Sequence, residues 1–468
     1  MVLKSRFPQV PTHLSLDEQL AMGKALRDRV PRSSHADWQP RPDRPDPITL
    51  LEQSSQDRIS SLIPIRYGRM SQSAFAFLRG AASIMTADLA QTPNTGILVQ
   101  SCGDCHISNF GGYGTPERNL VFDVNDFDET LAAPWEWDLK RLAASAVVAS
   151  RLTSLSSKQA EALAEAVACS YRTQIRSYAE MPILQLWYAH LDDSQLLKIA
   201  DSAAARKQLE KTLDKARTTS SASMLPKLTE QVDGRRQIID QPPLVGHTAP
   251  GEAFEQEMAA VYDQYCQNVR NDLKALLGHY QLVDIAMKVV GVGSVGLRCA
   301  ILLLMAGDDP LFLQIKQSRQ SVLEPFLAKS QYSNQGQRVV TGQRLMQATS
   351  DIFLGWASST AGPDGLTRDF YVRQLRDMKL SIDLSTLSAD ELVRYGKLCA
   401  SALARAHARS GKAALISGYL GDSDKFDRAL AQFALAYAEQ TERDYAALVA
   451  AVQSGRLSAE ADSGKPLA

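Results

Sequence analysis

Asp104, His106 and Asn109 fall within six consecutive positions of the segment 102–129, CGDCHISNFGGYGTPERNLVFDVNDFDE. A second acidic group, Asp123, Asp126, Asp128 and Glu129, follows after a turn-rich spacer. A carboxylate, an amide and a further carboxylate at this spacing suit a general base and two oxygen ligands for Mg²⁺, the apparatus of phosphoryl transfer. Asp104 and Asn109 stand as Asp-x-x-x-x-Asn, the relation in which the Asp accepts a hydroxyl proton and the Asn holds a metal. The same segment contains Cys102-x-x-Cys105-His106, which satisfies the haem-attachment pattern literally. Haem attachment requires export, a redox Cys-x-x-Cys opens a helix in a small α/β domain, and no second Cys/His pair lies at zinc-ligand spacing. The cysteine motif is therefore read as incidental.

These groups need elements to hold them. The run 96–100, GILVQ, predicts a strand leading into the chemical segment, and NLVFDV predicts a second strand behind Asp126. The stretch 73–90 has helical spacing, and Asp138 begins another predicted helix, DLKRLAASAVVASRL. Residues 158–215 read as helix throughout, 218–223 as loop, and 227–240 as a hairpin turning at Asp233-Gly234. Helix returns at 252–279. The most strand-like part is 284–375, including DIAMKVVGVGS, GLRCAILLLMAG, PLFLQIKQ, QRVVTGQRLMQ and DFYVRQLRD. Helices are expected again at 388–409 and 423–453. His407 lies in the first of these and reads as a packed or surface histidine.

The chain has 468 residues, too many for a single core, so a two-lobed α+β protein is expected, mostly helical with one β-rich lobe. The expected parts are an N-terminal extension over 1–65, extended along the Pro-rich stretch 31–47, and a helical lobe with the chemical loop over 66–283. A β-rich lobe over 284–380, completing helices over 381–454 and a disordered tail over 455–468 follow. Net charge is -1, so bulk charge points to neither nucleic acid nor an anionic membrane. The six cysteines are scattered apart from the first pair, unlike a secreted disulfide scaffold. The N-terminus shows no apolar secretory region, and a cytoplasmic setting is expected. Residues 285–306 are apolar enough to suggest a membrane span, but Lys288, Arg298 and three glycines interrupt them, and strand–turn–strand explains them better.

GDCHISNF followed by VNDFDE resembles the signatures of aminoglycoside and choline phosphotransferases, members of the protein-kinase-like superfamily. RYGRMSQSAFAFLRGAA, SCGDCHISNFG, FDVNDFDETLAAPWEWDLKRLAAS and GQRLMQATSDIFLGW together resemble, more closely, a bacterial family known as domain of unknown function 2252. That resemblance runs from about Arg66 into the C-terminal helices. The kinase-like resemblance implies Asp104 as catalytic base, Asn109 and Asp126 as metal ligands, and Asp138 as the buried Asp that anchors the loop. Whether Asp123 or Asp128 shares the metal role stays open. Cys102 departs from the pattern, where a His commonly stands.

Such a site also needs a phosphate-covering loop and a cation. Downstream, Gly291, Gly293 and Gly296, with Ser294 among them, form Gly-x-Gly-x-x-Gly between two predicted strands, whereas a Rossmann fingerprint would lead into a helix. PLFLQIKQ places Lys316 in a third strand, where its ammonium can bridge phosphates, and SVLEPFLAK reads as a helix with Glu324 available to pair with that lysine. Catalytic loop first and glycine loop second is the order of a circularly permuted kinase, with a hinge near 375–380 whose backbone would bind adenine. Arg66, Arg69 and Arg79 could meet phosphate or serve as structural pairs. The reading is an ATP- and Mg²⁺-dependent phosphotransferase acting on a hydroxyl acceptor. A non-catalytic nucleotide-binding module and an AMP transferase are its alternatives. Acceptor and oligomeric state are not legible.

Overall fold

The computed structural model describes residues 14–460 apart from 154, 248–250, 361, 363 and 376. Among these, the strands form one six-stranded sheet and three smaller ones of two or three strands, and most of the remaining elements are helices. The elements that matter for the site begin with helix α1 (Ala74–Gly80), strand β1 (Leu98–Ser101) and the hairpin β2 (Phe110–Gly114) and β3 (Leu120–Val124). Strand β4 (Leu131–Pro134) and helices α2 (Trp135–Ser150) and α3 (Ser157–Glu180) follow. Pairing of β1 with β4, Leu98 opposite Pro134, closes the chemical segment at its two ends. Helix α2 is buried along its whole length, including Glu136, Asp138, Lys140 and Arg141. Charges are rarely buried so completely unless paired, and here their partners lie in the loops that α2 supports.

The larger sheet is antiparallel throughout. It contains β5 (Val245–Gly246), β6 (Gln281–Lys288), β7 (Cys299–Ala306), β8 (Asp309–Ser318), β9 (Gly355–Ser359) and β10 (Arg368–Gln374), in the order β9-β10-β8-β7-β6-β5. Period-two alternation sorts its faces. Leu311, Leu313 and Ile315 of β8 join Phe370 and Val372 of β10 in a core beneath helix α4 (Gly251–Asn268). Phe312, Gln314 and Lys316 point the other way, and the register sets Lys316 beside Tyr371. Central strand β7 is apolar on both faces because both are covered: Leu302 and Leu304 go to one core, Ile301 and Leu303 to the other. Helices α5 (Gln335–Met346), α6 (Ala389–His407) and α7 (Lys425–Gln453) complete the frame.

Residues 285–306 form strand, glycine turn and strand as expected, and no helix of the described residues is long and apolar enough to cross a membrane. The Asp233-Gly234 hairpin is present, with both turn residues at positive φ. Other expectations are corrected. The helix over 73–90 breaks at Ala81, because the Gly80 carbonyl accepts from Arg66 Nη2 at 2.9 Å instead of continuing the ladder. Pro182 and a capped turn at Asp192 interrupt 158–215. Ser220 caps a helix over Ser221–Leu228, so 218–223 is only partly loop. QRVVTGQRLMQ is helical, not a strand: Asn334 caps α5, and Val339, Val340 and Met346 form its buried side. SVLEPFLAK forms turns rather than a helix, consistent with Pro325 restricting Glu324. Residues 455–460 pack against the helix Ile63–Met70, where Glu460 N–H donates to the Pro64 carbonyl at 3.0 Å. The rest of the expected tail, and residues 1–13 of the expected extension, lie outside the described residues.

Candidate active site

Asp138, four residues into α2, organises the loop that follows β1. Its Oδ1 accepts from Ser101 Oγ at 2.6 Å and the Gly103 amide at 3.0 Å, and its Oδ2 from the Cys102 amide at 2.8 Å. His407 Nε2 lies 3.2 Å from the same carboxylate, and His407 Nδ1 lies 2.7 Å from the Tyr171 hydroxyl. Burial pushes the Asp138 carboxyl up, but the bonds from His407, Ser101 and Cys102 outweigh it and hold it below the usual carboxylate range. His407 is therefore a packed histidine, as its position in the helix suggested, and it braces the loop anchor. Gly103 turns the chain at φ +80, and a Cβ there would stand 2.4 Å from the Glu129 carbonyl. The turn delivers Asp104.

Asp104 Oδ1 accepts from Arg141 Nε at 2.6 Å, with Arg141 Nη2 also on that oxygen. Its Oδ2 lies 4.0 Å from His106 Nε2, beyond hydrogen-bonding reach. Burial raises the Asp104 carboxyl and Asp126 adds to the rise, while Arg141 opposes both. Burial, with Arg79 and Arg141 nearby, drives His106 well below the ordinary imidazole value, so it is neutral. Asn109 Nδ2 donates to the Asp104 carbonyl at 2.7 Å, which fixes the amide and commits its other end, Oδ1, to accepting. Asp126 Oδ1 accepts from the Asp128 amide at 3.1 Å, and burial followed by the Asp128 charge raises its carboxyl.

The glycine loop crosses to this segment. Ser294 Oγ donates to Asp128 Oδ2 at 2.9 Å, Tyr371 Oη to Asp128 Oδ1 at 3.0 Å, and the Lys316 ammonium pairs with Asp128 Oδ2. Lys316 and Asp128 are 188 positions apart, and their pair joins the large sheet to the acidic loop. Burial raises the Asp128 carboxyl, but Lys316, Ser294 and Tyr371 outweigh it and keep it ionised. The carboxylate partner of Lys316 is thus Asp128, not Glu324. Glu324 is buried in the turns after Ser321, and its Oε1 has no hydrogen-bond partner. Carbonyls of the glycine loop are held by arginines: Val290 by Arg69 at 2.5 Å, Gly293 by Arg58 at 2.8 Å and Val295 by Arg58 at 2.5 Å. Gly296 has φ +87 and crowds the Arg58 stem, a position only glycine fills easily, whereas a Cβ on Gly291 would meet nothing within 4 Å.

An open cleft of about 1280 Å³ lies between the acidic segment and the glycine loop. Asp104, Asn109, Asp126, Asp128, Gly291, Gly293, Ser294 and Lys316 line it. Gly296 and Glu324 do not. Asp123 also lies apart, paired with buried Arg405 at 2.5 Å and capping the Ala348 amide at 3.1 Å, so it is structural. At the proposed hinge, Leu375, Asp377 and Lys379 line the cleft. The amides of Leu375, Met378 and Leu380 are already bonded to Phe312, Thr219 and Gly112 carbonyls. Arg66 is structural, holding Ser54, Ser55 and Gly80.

Two arginines that spacing did not single out hold the site together. Arg141 locks Asp104 from α2. Arg338, fully buried on α5, binds the carbonyls of Thr130 at 2.6 Å, Asp128 at 2.8 Å and Arg319 at 2.7 Å, clamping the acidic loop to the end of β8. Their signal was a guanidinium inside otherwise buried helical faces. Among the described residues, Cys102, Cys105 and Asp138 are the one trio of His, Cys and carboxylate ligand atoms within 4.8 Å of one another. All three are buried, burial raises both thiols, and Asp138 is committed to the loop, so this trio is packing around the anchor.

The bacterial family described as "Uncharacterized protein conserved in bacteria (DUF2252)" matches residues 58–451. The chain belongs to this family. No curated protein and no solved structure matches the chain. The matched span of this DUF2252 chain contains Arg58, both loops of the cleft, Lys316, Arg338 and His407, so all but the Ser54 edge of the cleft lies within the family's shared region.

Proposed function

We propose that this protein is an ATP- and Mg²⁺-dependent phosphotransferase acting on a hydroxyl acceptor, with a kinase-like two-lobed arrangement in circularly permuted order. The observation that carries the reading is the convergence in one cleft of Asp104, Asn109 and Asp126 with the glycine loop and Lys316. Asp126, raised by burial and by the neighbouring Asp128 charge, is a carboxylate whose charge a divalent cation relieves. Asp126 and the Asn109 Oδ1 would hold Mg²⁺, a two-ligand protein site of the kind that phosphate oxygens and waters complete. Mg²⁺ bound there supplies neutralisation of the phosphate charge. The cationic loop edge formed by Arg58 and Arg69, and the Lys316 ammonium, suit a polyphosphate beside Gly291 and Gly293.

In the proposed step the acceptor oxygen bonds to the γ-phosphorus of ATP, and its proton passes to Asp104. The bond from the γ-phosphorus to the β,γ-bridging oxygen breaks, its electron pair leaving on ADP. Lys316, oriented by Asp128, steadies the phosphates, and Arg141 fixes the Asp104 rotamer by taking Oδ1. Positioning and charge stabilisation supply most of the rate.

Product analysis of the full chain with Mg·ATP tests this. ADP formation, slowed about 10²-fold or more in Asp104→Asn, is expected. AMP with pyrophosphate would replace phosphoryl by nucleotidyl transfer, and turnover unchanged in Asp104→Asn would remove Asp104 as base. A nucleotide-binding module without transfer is the second reading, favoured by the Arg141 pair, which competes for the Asp104 carboxylate. Tight Mg·ATP binding with no product would establish it.

A further inference from the structure

Almost every cation of the cleft is already occupied by the protein. Arg58, Arg66, Arg69, Lys316, Arg319 and Arg373 each hold a protein oxygen. Arg79 is the exception. It lies near the C-terminal end of α1 and lines the cleft, half-buried. Among the described residues no hydrogen bond or ion pair engages its side chain, and its buried Nε has no partner. The carboxylates whose charges act on it most are Asp104 and Asp126, neither within ion-pairing distance, while Arg69 repels it. Its own backbone sits against the glycine loop: the Arg79 carbonyl oxygen is 3.4 Å from where a Cβ on Gly293 would stand.

A half-buried guanidinium whose Nε is shielded from water and unpaired gains a partner when an anion enters the cleft beside it. The place between Asp104, Asp126 and Gly293 is where such an anion would bridge the two. We propose that Arg79 binds the terminal phosphoryl group of a nucleoside triphosphate in the cleft, and so contacts the group that is transferred. This rests on the phosphotransferase reading and adds to it a residue that touches substrate. A planar fork can take two phosphoryl oxygens at once, and the charge it supplies is aimed where charge is redistributed during transfer. Carboxylates cannot do this alone, since the same oxygens would repel theirs.

The test is calorimetric binding of Mg·ATP and Mg·ADP to the full-length wild type, Arg79→Gln and Arg79→Lys, with melting temperature recorded for each protein without ligand. Arg79→Gln is expected to weaken Mg·ATP by about 10- to 100-fold, the loss of one charge-assisted hydrogen-bonded contact. Mg·ADP, which lacks the terminal phosphoryl, should weaken less than about 3-fold. Arg79→Lys, keeping the charge without the fork, should fall between wild type and Arg79→Gln for ATP alone. If Arg79→Gln folds poorly, the ATP-to-ADP ratio in Arg79→Lys decides. Equal weakening of both nucleotides, or of neither, overturns the assignment of Arg79 and leaves the nucleotide reading standing. A wild type that binds neither nucleotide overturns the phosphotransferase reading, and this inference with it.

Discussion

Removing the Lys316 ammonium should damage the protein by an amount that depends on Asp128. Lys316 and Asp128 have side chains only 5% and 20% exposed, and they connect β8 to the acidic loop. Breaking a buried pair from one side costs about 3–5 kcal/mol, because the remaining charge is stranded. Asp128 would keep its bonds from Ser294 and Tyr371, so Lys316→Met should fall near the lower end of that range. Asp128→Asn strands the more deeply buried ammonium and should cost at least as much. An unfolding entropy of about 2.1 cal/mol/K per residue over 468 residues corresponds to about 1 kcal/mol per degree, so each single change should lower Tm by about 3–5 °C. The double variant leaves neither charge stranded and should melt within about 2 °C of the worse single variant. Calorimetric Tm values for the four proteins of this cycle provide the measurement. Losses that simply add would refute the pair, and with it the contact that joins β8 to Asp128 of the acidic loop.

Glu324→Gln should leave Mg·ATP binding and turnover within about 3-fold of wild type, since Glu324 lies outside the cleft; a loss comparable to that of Asp128→Asn in the same assays would restore it as the lysine's partner. Asp138→Asn should lower Tm by about 3 °C or more and abolish turnover by releasing Cys102, Gly103 and Asp104 together, and a variant with normal stability and rate would show that the loop is held otherwise. At His247 burial opposes the charge, but the Asp284 and Asp240 carboxylates outweigh it and raise the imidazole above its usual value. A raised folded-state pKa contributes stability that is full below the unfolded value near pH 6.5 and is lost as pH rises through the folded value. Tm should therefore decline over that window in wild type and decline less in His247→Asn, and identical slopes would exclude the histidine.

Much of the site was written locally. Asp104, Asn109 and Asp126 sit on short loops between strands whose apolar runs and glycine turns are visible in one dimension. The β6–β7–β8 arrangement follows from period-two runs around Gly291 and Gly293, and Asp138 anchors its loop from the first turn of α2. What was not legible depends on distance or on competition. The choice between Asp128 and Glu324 for Lys316 is set by the approach of the acidic loop, which no spacing encodes. Val339-Val340-Thr341 favours a strand by propensity, but the Asn334 cap and the buried side of α5 decide for helix. Arg141 and Arg338 disappear into helical patterns because their role is to bind loop oxygens from inside the core.

The central claim, that the cleft binds Mg·nucleotide through Asp126, is tested most directly by melting wild type and Asp126→Asn in millimolar ATP with and without Mg²⁺. Binding at about 100 times Kd adds about 2.7 kcal/mol, so wild type should gain about 3 °C with ATP and Mg²⁺ together, and Asp126→Asn should lose most of that gain. A wild-type Tm unmoved by ATP in either condition would contradict the account.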